Sequence, residues 1–210
     1  MQGSGGSMSL MRLGLLGPAD GDLVALRRTA QHLLDEQAID RAVYLGKDRA
    51  LDDVVAEWAG DLVGADPTDD ALWHRAAQVC AGGSSDQIRE FLKAESGRQR
   101  LARFEVLPGV GSRSVELMNG KLVVLIYDKA HLDEEDIVAA SLLVFGKSPS
   151  LMLKQVGPRW FISPGAHGAL VLEDLDDGIQ VTAYDRDLKQ VEAVTLELAR
   201  GTRMRVQGAG

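Results

Sequence analysis

Two short apolar runs that stop at a glycine, each followed by helical periodicity, constrain this chain more than any other feature. Met11 to Leu16 is the first, and it ends in the breaker-rich turn Gly17-Pro18-Ala19-Asp20-Gly21. A run of this length between breakers reads as a buried strand. Asp22 is placed to cap the next segment, where Leu23, Leu26, Ala30, Leu33 and Leu34 recur at helical spacing to about Gln37. Ala42-Val43-Tyr44-Leu45-Gly46 repeats the strand, and Asp52 to Ala59 repeats the helix with Val54, Val55 and Trp58 on one side. A third helix is expected from Asp69 to Val79 with Leu72, Trp73 and Ala76. Strand, helix, strand, helix specifies parallel crossover units.

Beyond residue 100 the segments become short, β-rich and punctuated by glycine. Strands are expected at Phe104 to Leu107, Ser114 to Met118, Leu122 to Tyr127, Leu142 to Phe145, Leu151 to Val156 and Trp160 to Ile162. Three more follow at Ala169 to Leu172, Ile179 to Tyr184 and Val191 to Leu198. One helix interrupts them, where the acidic first turn Asp133-Glu134-Glu135-Asp136 leads into Ile137 to Ala140. Acidic side chains there favour the positive end of a helix dipole. The expected core includes Leu13, Leu15, Val43, Leu45, Val123, Leu125 and Val144. Trp58 and Trp73 read as core packing on apolar helix faces, and Leu151-Met152-Leu153 as strand core.

Composition sets the limits on function. Residues 1–7 read as an uncharged cloning linker, leaving residues 8–210 for one domain, with 45% apolar and 26% charged residues overall. No apolar run approaches the roughly 20 residues of a membrane span, so a soluble, cytoplasmic protein is expected. The formal charge of -8 argues against nucleic acid or an anionic membrane as partner. Cys80 is the single cysteine and reads as a buried structural thiol. His32, His74, His131 and His167 never fall at a metal-ligand spacing. Gly109-Val110-Gly111-Ser112-Arg113-Ser114 lacks the lysine of a phosphate-cradling loop, and no Gly-x-Ser-x-Gly elbow is present. The acidic cluster Asp174-Leu175-Asp176-Asp177-Gly178 reads as a turn between strands rather than a calcium loop.

Six motifs in order carry a resemblance. Met11 to Asp22 is similar to a strand running into Ser-Asp-x-His-Gly-Asn, Tyr44-Leu45-Gly46-Lys47 to His-Leu-Gly-Asp, and Gly83-Ser84-Ser85-Asp86 to Gly-Asn-Cys-Asp. Leu125-Ile126-Tyr127-Asp128 is similar to Leu-Thr-His-Gly, Phe145-Gly146-Lys147-Ser148-Pro149 to Phe-Gly-His-Thr-His, and Ile162-Ser163-Pro164-Gly165-Ala166 to Ile-Asn-Pro-Gly-Ser. Over residues 11 to 185 the chain thereby resembles the calcineurin-like metallophosphoesterases, in the small phosphodiesterase and retromer-subunit branch. The resemblance implies an α/β four-layer sandwich, two mixed sheets face to face with helices outside. It also implies two metal ions held by seven residues, which bridge a water nucleophile and neutralise the phosphate.

Every implied ligand position is changed. The positions are Pro18, Asp20, Lys47, Ser84, Tyr127, Lys147 and Pro149, and the implied general acid is Ser85. Proline offers no donor and an ammonium repels a cation, so no metal cofactor is expected. A site relocated to Asp48, Asp128 and His131 is the least favoured reading. The expected function is that of a pseudoenzyme, a catalytically inactive scaffold that binds a protein partner. The alternative is a metal-free sensor in which Lys47, Lys129 and Lys147 bind a phosphorylated or other anionic small ligand. Asp20, Asp48 and Asp128 come from the same loops and stand ready to neutralise those lysines instead.

Overall fold

β1 (Arg12–Leu16) and β2 (Arg41–Tyr44) lie side by side and parallel, joined by α1 (Leu23–Asp35), as a crossover unit requires. The structure is a computed structural model that describes residues 11–64, 66–176 and 178–197; the linker at residues 1–7 lies outside them. After β2 the chain runs through α2 (Ala50–Val63), α3 (Leu72–Gly82) and α4 (Ser85–Arg100) before β3 (Phe104–Val106) joins β2, again parallel. β9 (Ala169–Leu175), β10 (Gly178–Tyr184) and β11 (Gln190–Leu196) complete this sheet on the other side of β1, antiparallel, in the order β11-β10-β9-β1-β2-β3. The expected strand at Leu198 ends at Leu196, and Leu198 itself lies outside the described residues.

The second sheet has the order β4-β5-β6-β8-β7, formed from β4 (Arg113–Met118), β5 (Lys121–Ile126), β6 (Leu142–Phe145), β7 (Met152–Val156) and β8 (Arg159–Ser163). β5, β6 and β8 are parallel, while β4 and β7 are antiparallel edges, so this sheet too is mixed. Side chains alternate across a strand, and the two faces of β1 and β2 sort accordingly. Leu13, Leu15, Val43 and Leu45 point between the sheets and meet Val123, Leu125, Leu142, Val144 and Ile162, all nearly free of solvent. Each contributes roughly 2 kcal/mol through burial. Leu16, Ala42 and Tyr44 point the other way, onto Leu26, Leu33, Leu51, Val54 and Trp58 of α1 and α2. Beyond the second sheet, α5 (Glu134–Ala139) covers Val124 and Leu143 with Ile137. Helix, sheet, sheet, helix is the four-layer α/β sandwich that the resemblance implies.

At one open flank the edge strands of the two sheets are clasped by a single cation. Arg41 on β2 bonds both carboxylate oxygens of Glu105 on β3, at 2.7 and 2.5 Å, and reaches Glu116 on β4 at 2.8 Å. Hydrogen bonds that Arg41 donates to Glu105 first, then to Glu116, raise its pKa, although its partial burial works against this.

α3 and α4 depart from expectation. α3 begins at Leu72 and buries no residue, because it packs on α4 rather than on a sheet. Trp73 is therefore 80% exposed instead of core, and Cys80 is exposed instead of buried. α4 buries only Glu95 and Arg98. Glu95 accepts from Arg75 Nε and Arg98 Nε, both at 2.7 Å, and Arg98 Nη2 lies 2.8 Å from Asp69 Oδ1 without aligning a hydrogen bond. Burial pushes the Glu95 carboxyl up, but the two guanidiniums outweigh it and hold it below the usual carboxylate value.

Candidate functional site

The parallel strands β1, β2, β5, β6 and β8 all end on one side of the sandwich, and the loops leaving them meet there. Each loop presses on its neighbour through glycine. A Cβ at Gly17 would stand 2.0 Å from Gly165 O, and one at Gly146 would stand 1.9 Å from Leu45 O. Only glycine lets backbone approach backbone this closely. Around the ring, His167 N donates to Pro18 O at 3.0 Å and Lys147 N to Tyr127 O at 2.8 Å. Gly165, at φ +75°, packs against Ser150 and Leu151.

Within this ring stand Pro18, Asp20, Lys47, Tyr127, Lys147 and Pro149, each on the strand-end loop where the sequence placed it. Asp20 is exposed on a turn at φ +46°. Tyr127 is half-buried and packs against the core between the sheets. Lys147 Nζ pairs with Asp128 Oδ2 at 2.5 Å. The hydrogen bond from Lys147, then that from the Ala130 N-H, lowers the Asp128 pKa, and the same ion pair raises that of Lys147. Lys129 Nζ sits 4.8 Å from the centroid of the Phe145 ring, a cation-π contact. Lys47 is exposed and makes no ion pair among the described residues.

Ser84 and Ser85 do not join the ring. Ser84 is the N-cap of α4, in a capping box where its hydroxyl accepts from Gln87 N and its own N-H donates to Gln87 Oε1 at 2.8 Å. Ser85 is the first residue of that helix. The loop that leaves the third parallel strand runs from Leu107 to Ser112, and a Cβ at Gly111 would come within 3.0 Å of His131 Nδ1 on the β5 loop. Gly83-Ser84-Ser85-Asp86, which resembles the Gly-Asn-Cys-Asp motif, starts a helix here instead of ending a strand.

Tyr44 is the residue that sequence reasoning placed in a motif but gave no role. Its hydroxyl accepts from Ala19 N at 2.9 Å and donates to Asp48 Oδ1 at 2.9 Å, tying the β1 loop to the β2 loop. The ring lies so close to Gly46 that a Cβ there would meet it at 2.2 Å. Burial, and with it the negative charge of Asp48, pushes the phenol well above its ordinary pKa, so it stays protonated and keeps donating. A tyrosine directly before Leu-Gly was the available signal.

This donor set does not fit a pair of divalent cations. Pro18 and Pro149 have no side-chain donor, the Lys147 ammonium is engaged by the aspartate nearest to it, and the Asp48 carboxylate is engaged by Tyr44 and by Ala50 N at 3.2 Å.

No protein-family model matches the chain, and no curated protein matches it by sequence. Solved structures do match. Vps29 from Chaetomium thermophilum has a TM-score of 0.51 at 10% identity, covering 93% of this chain and 99% of its own. Vacuolar protein sorting 29 from Cryptosporidium parvum has 0.48 at 12%, covering 91% and 99%. A predicted phosphoesterase from Streptococcus pneumoniae has 0.47 at 12%, covering 90% and 100%. Two mixed sheets with their parallel strands ending in one loop ring, and the match to Vps29 over nearly both whole chains, give the same answer: this chain has the calcineurin-like metallophosphoesterase fold in its small, Vps29-like form.

Proposed function

We propose that this chain is a metal-independent pseudoenzyme of the phosphoesterase fold that works by holding a protein partner rather than by hydrolysing a phosphoester. The observation that carries the reading is the Lys147–Asp128 ion pair, 2.5 Å long, at a position where the resemblance implies a metal-ligating histidine. The loop ring neutralises its own charge there and needs no dication to hold it together. The likeness to Vps29 supports a scaffold role, and Trp73, 80% exposed on α3, supplies an aromatic anchor of the kind that dominates protein interfaces.

The reading is tested by elemental analysis, by turnover assays on a phosphodiester and a phosphomonoester with added manganese, and by reconstitution with any captured partner from purified components. It expects no stoichiometric metal, no turnover, and a defined complex weakened by Trp73→Ser. About one or more manganese, iron or zinc per chain, or turnover abolished by Asp20→Ala, overturns it.

One observation keeps a second reading in view. Lys47 is exposed and unpaired among the described residues, whereas Lys147 is neutralised by Asp128 and Lys129 lies over Phe145. An anion site would rest on Lys47 with help from loop N-H groups. Phosphate binding at about millimolar or tighter affinity that is lost in Lys47→Ala would establish it.

A further inference from the structure

α3 and α4 form a helical hairpin with two flanks, and only one of them faces the rest of the molecule. The bond from Arg75 Nε to Glu95 Oε1, 2.7 Å long, fixes the register, so Ala77 stands level with Leu92 and Lys93. On the inner flank the hairpin opens toward the end of α2 over a cavity of about 680 Å³, lined by Arg75, Gln78 and Val79 of α3 and by Glu90, Phe91 and Ala94 of α4. Helical spacing then assigns the outer flank to Trp73, Ala76 and Cys80 of α3 and to Ile88 and Leu92 of α4. Nothing among the described residues covers it. α3 buries no residue, Trp73 is 80% and Leu92 61% exposed, and Cys80 is exposed with them.

The outer flank suits a copy of itself. A two-fold interface sets the residues at its centre against themselves, so a charge there would repel its own image. The centre of this flank is Ala76, Ala77 and Leu92, all uncharged, and Lys93 lines the depression on the α2 side instead. Let α3 pack antiparallel to α3 of a second copy, crossing it at Ala77. Trp73 of each then stands over Cys80 and Ala81 of the other, a large side chain over small ones in both halves at once. The ends match as well. Asp70, exposed just before α3, comes opposite the first turn of the second copy's α4. The helix dipole is positive there, and Arg89 extends from the next turn, where it already pairs with Asp86. Each Trp73 brings on the order of 200 Å² of contact surface. With Leu92 and Ile88 beside it, that suits an interface near the lower limit of roughly 1,200 Å² for a specific complex.

We propose that the outer flank of the α3–α4 hairpin binds a second copy of this chain, α3 antiparallel to α3 about a two-fold axis at Ala77, with Trp73 as the anchor. This rests on the reading of Trp73 as an interface anchor and names what it anchors. The loop ring and its metal-independence do not enter it.

Sedimentation velocity of the whole chain tests it. A monomer–dimer equilibrium with a Kd of about 100 μM or tighter is expected. Trp73→Glu should weaken it at least roughly tenfold. The melting temperature should not move, because that side chain is 80% exposed and adds little to the fold. The geometry is tested apart from the affinity, in a Cys80→Ser background that removes the single cysteine. Ala77→Cys should oxidise to a disulfide-linked dimer, since the two substituted positions meet at the axis. Gln78→Cys, on the inner flank, should not. A chain that stays monomeric to about 500 μM, a dimer untouched by Trp73→Glu, or equal cross-linking of the two cysteine variants overturns the proposal. A monomeric chain that still forms a complex with a captured protein through Trp73 overturns the second copy as occupant and leaves the protein-partner reading standing.

Discussion

The loop ring at the strand ends and the α3–α4 pair are both local assemblies, yet they are held in opposite ways. In the ring, backbone presses on backbone across glycines, and one phenol and one ion pair tie what remains. In the helix pair no apolar residue is fully buried, and the interior is a carboxylate between two guanidiniums. Close packing tolerates no added atom and leaves no room. A charged contact is directional, so it fixes two helices at a few points and leaves a cavity between them. The two regions therefore differ in what they can do: the first is a rigid platform, the second a place where something can enter.

Paired glycine substitutions probe that difference most sharply. Gly146→Ala puts a methyl group 1.9 Å from Leu45 O and should destabilise the chain by on the order of 3 kcal/mol or more in denaturant unfolding. Gly97→Ala in α4 meets only Leu62 methyl groups at 3.5 and 3.6 Å and should stabilise it by up to about 1 kcal/mol. Equal effects would erase the distinction. Next in size is Glu95→Ala, which leaves two buried guanidiniums facing each other and should cost roughly 3 kcal/mol. Hydrogen exchange should show the loss in α3 and α4 before the sheets. Acid tests the same group without mutation. Because the folded value of Glu95 lies below the unfolded one, its contribution is complete above about pH 4.3 and fades as pH falls through the depressed value. α3 and α4 should open first on acidification.

Tyr44→Phe removes one hydroxyl that serves two loops, leaving Ala19 N and Asp48 without it, and should cost about 1–2 kcal/mol with no change in sheet structure. The smallest effect belongs to Lys147→Ala. Lys147 is solvent-exposed, so stability should barely move, but the Asp128 carboxyl should titrate upward toward its ordinary value in a carbon-detected NMR titration. An unmoved Asp128 would detach that aspartate from Lys147 and with it the charge compensation of the ring.

The contrast also explains what could be read from the sequence. β1, α1 and β2 were legible because their buried faces are aliphatic, and Asp22 caps α1 as expected, accepting from Ala25 N at 2.9 Å. The strand-end loops were legible because glycines and the strands before them fix their place. α4 was invisible to hydropathy because its buried face is Glu95 and Arg98, which read as a solvated stripe. The Ser84-x-x-Gln87 pattern announced its start, and it was claimed instead by the motif resemblance. Trp73 and Cys80 were expected inside because an amphipathic helix normally lies on a sheet, whereas α3 lies on a helix that offers it charge.

The Arg41 clasp has a consequence for the life of the molecule in a crowded solution. A sheet edge is a template for another chain, and the neighbouring edges β3 and β4 present two such templates on one flank. Arg41 holds Glu105 on one and Glu116 on the other, so a strand approaching either edge meets a guanidinium already engaged and two carboxylates it would have to desolvate. β3 is three residues long, too short to offer much of a ladder. The flank is thereby guarded against strand addition, and neutralising Glu105 and Glu116 together should weaken that guard.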